Sequence, residues 1–541
     1  LKQLSISVFS RKGAKETPSE QSAFIFAFLA SFVSLREKLD GLIPLASISE
    51  LLPLSAKIVV MPPRLAFVGI VVLYLWLAAL YAIRTPRWQA PDEPAHYNYV
   101  RFIVEQGALP VLQTGDYNQA YLAELTSKKF PPELTIDAVR YEAWQPPLYY
   151  LLAAPIYKVS ATASLDARLI ALRLFTALWG VVLLALVYQI ARTMFPSDAL
   201  LPLFAVALVA FVPQHIAMTA SVNNDILGEG VLAGIVLCLV KILNEGHRGK
   251  QRSGALALAE ISGNKEPLGE IRGNRLWWVV GLLVGVGFVT KLTAYVSVGL
   301  VAFTLLLLWR NWRMTTRNSQ LATRNYQLPL LLALSLGALW WGRNAFTYGV
   351  FDWLGQGRHN AIVIGQPTTL GLYGDYLTAA THLFPTLFRS FWGQFGWMAT
   401  PMEPRTYNVL FVFTLFALGG LVLGKYQVAS GKWQMANANY PTSNLQLQLL
   451  LVWLWLILAL VLYYNLEFYQ AQGRYLFPAL GAIAIVMALG LRAWVKLAAS
   501  LLARLKIPYA LTEWVSLGVF VAGFVALDWM CLYRYVIPNL S

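Results

Sequence analysis

The chain has 541 residues, 57% of them hydrophobic and 13% charged, with a formal net charge of +15. Apolar runs of about 18 or more residues recur along it and would aggregate in water, so a soluble globular protein is excluded and a polytopic membrane protein is expected. In a soluble chain the basic balance would suggest nucleic acid; here Lys and Arg retained on the cytoplasmic side of a membrane account for it, and no nucleic-acid partner is expected.

The runs are unbroken rather than alternating, so they read as helices and not barrel strands. Nineteen Trp and 26 Tyr suit interfacial belts. Cys238 and Cys531 both lie in apolar runs, which excludes a disulfide framework. Residues 1–60 read as an N-terminal extension. The apolar stretch 23–33 is too short to span, no signal-peptide cleavage site stands out, and Met61, directly before the first strong span, reads as the natural start.

Residues 61–541 read as one multi-pass domain. Spans are expected at 64–83, 169–191, 199–218, 225–243, 276–290, 292–309, 328–346, 408–424, 446–464, 474–495 and 512–533. The shorter apolar piece 148–159 reads as re-entrant or interfacial. With the N-terminus inside, Arg192, Lys241, Arg310, Lys425, Arg492 and their neighbouring cations all fall in inner loops. The first outer loop is then 84–168 and the second large one 347–407. Short repeats at 260–264 with 270–274, and at 316–322 with 323–328, read as solvated low-complexity insertions. The expected fold is all-α and polytopic, with about 11 transmembrane helices and a long first outer loop carrying amphipathic interfacial helices.

The polar clusters gather on the outer face. Asp92 and Glu93, in Pro91-Asp92-Glu93-Pro94-Ala95-His96-Tyr97, stand just past the first span, where a charged pair is costly unless used or solvated. Asp92 reads evenly as the N-cap of an amphipathic helix over 93–106 or as a general base or metal ligand. His96, four residues on, shares its face. The stretch from Tyr141 to Tyr150, with Gln145, Pro146, Pro147 and Tyr149, closes the same loop and taken alone reads as an anchor.

Asp225 opens the fourth span, with Glu229 on the same face one turn later. An acid inside a span usually faces a polar cavity or partner, which favours a functional role for Glu229 and leaves Asp225 even between cap and site. Arg343 and Arg474 sit at outer span ends, where the guanidinium fork suits a phosphate, and Lys291 is a third candidate. The loop 347–407, with Arg358 and His359, reads as a lid or as a loop packed on the membrane. Asp225, Glu229 and His359 are candidate substrate or metal contacts. No zinc-type His spacing, P-loop or nucleotide fingerprint appears, so no cofactor is assigned and a divalent metal is left open.

Asp92-Glu93 after the first span, Pro146-Pro147-Leu148-Tyr149-Tyr150 ending the first outer loop, and Gly473-Arg474-Tyr475-Leu476-Phe477-Pro478 opening a late span resemble the GT-C superfamily of membrane glycosyltransferases. Protein O-mannosyltransferases and aminoarabinose transferases belong to it. The chain is most similar to a bacterial branch with Pro-Asp-Glu-Pro-Ala-His, Asn-Asn-Asp and Phe-Trp-Gly-Gln-Phe-Gly-Trp patterns, over roughly residues 64–495. The resemblance implies a polyprenyl-phosphate sugar donor, inversion at the anomeric carbon, and a site on the extracytoplasmic face of a bacterial inner membrane. By position, Asp92 matches the acid that activates the acceptor, with Glu93 its neighbour. Arg474, Arg343, Lys291, Gln145 and Tyr149 are the candidate contacts to such a donor's phosphate and lipid. Relatives often carry a basic residue or His where this chain has Gln145. The partners expected are the lipid-linked sugar, membrane lipid, and a glycan, lipid or protein acceptor. Two other classes compete: a secondary transporter, which would show repeated halves and a midplane site, and a non-catalytic lipid-binding or assembly subunit of the same fold.

Overall fold

The computed structural model describes residues 61–256, 268–313, 327–429 and 443–541. The extension 1–60, and most of the short repeats within 260–274 and 316–328, lie outside the described residues.

The protein is an all-α, multi-pass bundle. The first helix, α1 (Pro63–Arg84), opens on proline, whose fixed φ suits a first turn. The outer loop that follows holds α2 (Glu93–Gln106), α3 (Gln119–Ser127) and α4 (Leu148–Val159). Then come α5 (Leu165–Met194), the short pair α6 (Leu201–Ala210) and α7 (Pro213–Thr219), α8 (Asp225–Leu256), α9 (Leu268–Phe288), α10 (Val296–Arg313) and α11 (Gln327–Tyr348). The second large loop carries α12 (Gln356–Ile362), α13 (Thr369–Tyr373) and α14 (Tyr376–Gly393). The chain closes with α15 (Pro404–Ala429), α16 (Ser443–Glu467), α17 (Leu480–Ala503), α18 (Tyr509–Met530) and α19 (Ile537–Leu540).

Helices stand at all eleven expected spans. Among the described residues, eight are long and apolar enough to cross a membrane, or nine if the bent pair is one span. The expected straight span 199–218 is that pair, bent by 64°. Pro213 has no N–H to continue a helix and keeps Val212 extended, which breaks the run. The apolar part of α9 is short, Arg275–Phe288. In α11 the polar outer end, Arg343-Asn344, dilutes the apolar run.

Segments Asp225–Glu245 and Gly473–Ala503 are enclosed by neighbours along most of their length, whereas the remaining spans turn apolar side chains outward. All ten residues of α6 are buried. Helices α15 and α17 cross in backbone contact: a Cβ added at Gly490 would stand 1.7 Å from the Ala417 carbonyl oxygen. Such approach needs small residues, as is common where helices pack within a bilayer.

The first outer loop has its own aromatic core, including Trp88, Tyr97, Tyr99, Tyr149, Tyr150 and Tyr157. Residues 93–100 of helix α2 are buried in this core, while its last turns, 101–106, are partly or fully exposed.

Candidate active site

The site begins with one backbone feature. Asp92 precedes α2 with φ 66° and ψ −6°, a left-handed conformation, and its side chain makes no capping bond. That geometry costs a residue with a Cβ roughly 1–2 kcal/mol, and Asp is among the few that adopt it routinely. The N-cap reading of Asp92 is thereby removed. The turn also sends the two adjacent carboxylates to different partners.

Glu93 goes into the scaffold. It is fully buried and forms a two-point pair with Arg173 of α5, Nε to Oε1 at 2.8 Å and Nη2 to Oε2 at 2.7 Å. Arg173 also donates to the carbonyls of Ala82, Thr85 and Pro86, so each of its five N–H groups has an acceptor. The Val222 N–H donates to Glu93 Oε1 at 3.1 Å, which ties the Asn223-Asn224-Asp225 turn to the same carboxylate. Glu93 and Arg173 thus fasten the first outer loop to α1, α5 and the start of α8.

Asp92 turns the other way. Its Oδ1 accepts from the Tyr141 hydroxyl at 2.6 Å and its Oδ2 from Arg474 Nη2 at 2.5 Å. Burial alone would raise the Asp92 carboxyl, but the Arg474 guanidinium and the Tyr141 hydroxyl outweigh it and hold the group below the usual carboxylate range. Arg474 is steadied by Gln472 Oε1, 2.7 Å from its Nε, and lies over the Tyr475 ring. Its backbone neighbour explains the Gly-Arg-Tyr order: a Cβ at Gly473 would stand 2.1 Å from the Phe391 nitrogen of α14, so only glycine fits.

Lys291, between α9 and α10, donates to Asn224 Oδ1 at 2.9 Å and pairs with the Asp225 carboxylate. Both charged side chains remain partly exposed. His96 is buried, with Nδ1 2.8 Å from the Tyr150 hydroxyl. Burial and the Lys291 charge push its imidazole down to about 4, so it is neutral at neutral pH. Burial, then the charges of Asp92 and Asp225, push the Glu142 carboxyl up to about 8.

The structure therefore brings Asp92, His96, Asp225, Lys291 and Arg474 into one electrostatic neighbourhood, and adds Tyr141, Glu142 and Asn224. It does not gather the other candidates there. Tyr149 is buried against Thr176, 2.6 Å between hydroxyl oxygens. The Gln145 carbonyl accepts from the Tyr99 hydroxyl, and its side-chain oxygen is buried without a partner. Arg343 donates to the Pro110 carbonyl at 2.6 Å and to Asn344. Glu229 pairs with His215 Nε2 at 3.0 Å, inside the bundle. His359 packs on Trp144, with ring centres 4.6 Å apart. Asp225, Glu229 and His359, grouped above as candidate substrate or metal contacts, are held by three separate partners. Among the described residues no three His, Cys, Asp or Glu side chains converge to hold a metal ion. Arg173 and His215 were missed; each is a charged or polar side chain inside an expected span, a placement that calls for a partner.

Residues 145–260 match the family dolichyl-phosphate-mannose-protein mannosyltransferase. The match runs from the end of the first outer loop through Asp225 and agrees with the resemblance to GT-C enzymes. No curated protein matches the chain. Among solved structures, ArnT from Cupriavidus metallidurans bound to undecaprenyl phosphate aligns at 14% identity over 88% of this chain and 73% of that one, with a TM-score of 0.42. The oligosaccharyltransferase AglB from Archaeoglobus fulgidus, in complex with an inhibitory peptide and a dolichol-phosphate, aligns at 13% identity over 87% of this chain and 55% of that one, with a TM-score of 0.45.

Proposed function

We propose that the chain is a membrane glycosyltransferase that moves a sugar from a polyprenyl-phosphate donor to an acceptor hydroxyl, with inversion at the anomeric carbon. The observation that carries this reading is the contact between an ionised carboxylate, Asp92, and a cation, Arg474, with the second cation Lys291 close by. The family match over 145–260 supports it.

The chemistry follows from these groups. As the acceptor oxygen attacks the anomeric carbon, its proton passes to Asp92. The bond from that carbon to the phosphate oxygen breaks on the opposite face, and the phosphate leaves with the electron pair. A phosphate is already a good leaving group and needs no strong acid. Arg474 and Lys291 offset its growing charge. Arg474 reaches the phosphate by releasing Asp92, so the base is freed as the donor is seated. Tyr141 holds the other carboxylate oxygen and fixes the direction of proton transfer.

The Lys/Arg bias supports placing this end of the bundle on the extracytoplasmic face of a bacterial cytoplasmic membrane. Single cysteines at Ser127 and Ser500 should then react from opposite sides of intact cells; reaction from one side would reverse the orientation. The activity is tested with purified protein and radiolabelled sugars on polyprenyl phosphate, offered with glycan, lipid and peptide acceptors. Sugar transfer that disappears in Asp92→Asn is the expected result. Absence of transfer from every such donor, in protein that binds polyprenyl phosphate, would remove the proposal.

A further inference from the structure

The start of the second large loop exposes an apolar edge that the proposed chemistry does not use. Phe346 is 96% exposed, Val350 75% and Phe351 fully so. Trp353 is also exposed on one side and rests its ring against Trp341, with centres 5.4 Å apart. Between Tyr348 and Gly357 the same segment lines a cleft of about 410 Å³. A fully exposed Phe beside an exposed Val and Trp is unfavourable against water.

The edge continues a surface already given to lipid. On α11 the exposed residues Leu328, Leu331, Leu339 and Phe346 fall at i, i+3, i+11 and i+18 along one stripe, and exposed Leu330 and Leu334 widen the apolar face beside it. Val350 follows one turn later. The polar groups of the segment are turned away from that stripe. Arg343 is held by the Pro110 carbonyl. Asp352 accepts the N–H groups of Gly357 and Arg358 at 2.8 and 2.6 Å. Arg358 donates to the Leu112 carbonyl, and the Leu112 N–H donates to the Tyr348 hydroxyl. The edge is therefore braced from behind by polar bonds, with its apolar side chains directed outward.

We propose that Phe346, Val350, Phe351 and Trp353 insert among the acyl chains of the leaflet at the active-site end of the bundle. The segment is then a membrane-embedded rim and not a lid moving in water. Its occupant is bilayer lipid, argued from continuity with the lipid-facing stripe of α11. The rim is tied to the first outer loop through Leu112 and the His359–Trp144 contact, so it fixes that loop at the level of the membrane surface.

The test places an environment-sensitive nitrobenzoxadiazole probe on Phe351→Cys, in protein reconstituted in phospholipid nanodiscs. Both native cysteines are buried, and Phe351 makes no packing contact to lose. Ser127→Cys, on the exposed end of α3, is the aqueous control. The expected result is blue-shifted emission that is quenched by spin-labelled acyl chains and resists aqueous iodide, with the reverse at residue 127. Iodide quenching at 351 equal to that at 127 would overturn the proposal. Protection from both quenchers would also overturn it, because it would mean that protein and not lipid covers the edge.

Discussion

The Asp92 carboxylate accepts a hydrogen bond from Arg474 at 2.5 Å, although 382 residues separate the two in the chain. The base and the cation of the proposed reaction thus hold each other directly. Asp92→Asn tests the base alone. Asn also tolerates the left-handed backbone and keeps an oxygen for the Tyr141 hydroxyl. The variant should therefore still fold, with some stability lost along with the Arg474 pair, while turnover falls by roughly 100-fold or more, the scale of a positioned base. Near-normal turnover in a stable protein would sink the assignment.

Arg474 should act at the binding step. Arg474→Ala removes a charge-assisted contact and should weaken polyprenyl-phosphate binding by about 1.5–3 kcal/mol. Arg474→Lys keeps the charge but loses the fork, and should recover only part of that loss. If Arg474 exchanges Asp92 for the phosphate, as the proposed scheme has it, donor should bind before acceptor. Product-inhibition patterns would show this order; random addition would contradict the partner exchange.

Glu93 should affect folding and not chemistry. Removing one member of a buried pair leaves an uncompensated charge, worth about 3–5 kcal/mol. Glu93→Ala should therefore melt far below wild type in detergent, and well below Asp92→Asn, whose pair is partly exposed and whose side chain keeps an oxygen for Tyr141. Equal melting temperatures for the two variants would refute the division of labour between these neighbours.

Glu142 gives a signature in pH. Its folded value is pushed up to about 8 from an ordinary 4.5, so between those limits the folded state binds more protons than the unfolded state. Stability from this group is therefore complete below about 4.5 and falls as pH rises towards about 8. Glu142→Gln removes that dependence. Its melting temperature should match wild type near pH 4.5 and exceed it progressively to pH 8. A difference that does not vary with pH would rule out the raised carboxyl.

Much of this arrangement was legible in the chain. Apolar runs placed the helices, because a bilayer leaves the backbone few other choices. Asp92, Asp225, Lys291 and Arg474 were legible as polar groups stranded at one set of span ends. Their mutual pairing was not, since it joins turns 66 to 382 residues apart. The Glu93–Arg173 pair was hidden for the same reason, and the left-handed turn at Asp92 leaves no mark in composition. Periodicity showed that one face of helix α2 is apolar, but not that Tyr149, Tyr150 and Tyr157 share the core in which its first half is buried. Pro213 did announce the break between α6 and α7, within a run apolar enough to read as continuous.

The fully engaged guanidinium of Arg173 bears on how the protein is made. Arg173 lies in the outer part of α5, level with the end of α1, where a charge is costly unless it is paired. All five of its acceptors lie in residues 82–93, which leave the ribosome about 80 residues earlier. Helix α5 compensates this buried charge only beside that earlier segment. The acceptors thus precede the Arg in the order of synthesis, and a defect at Glu93 should lower the yield of folded protein as well as its melting temperature.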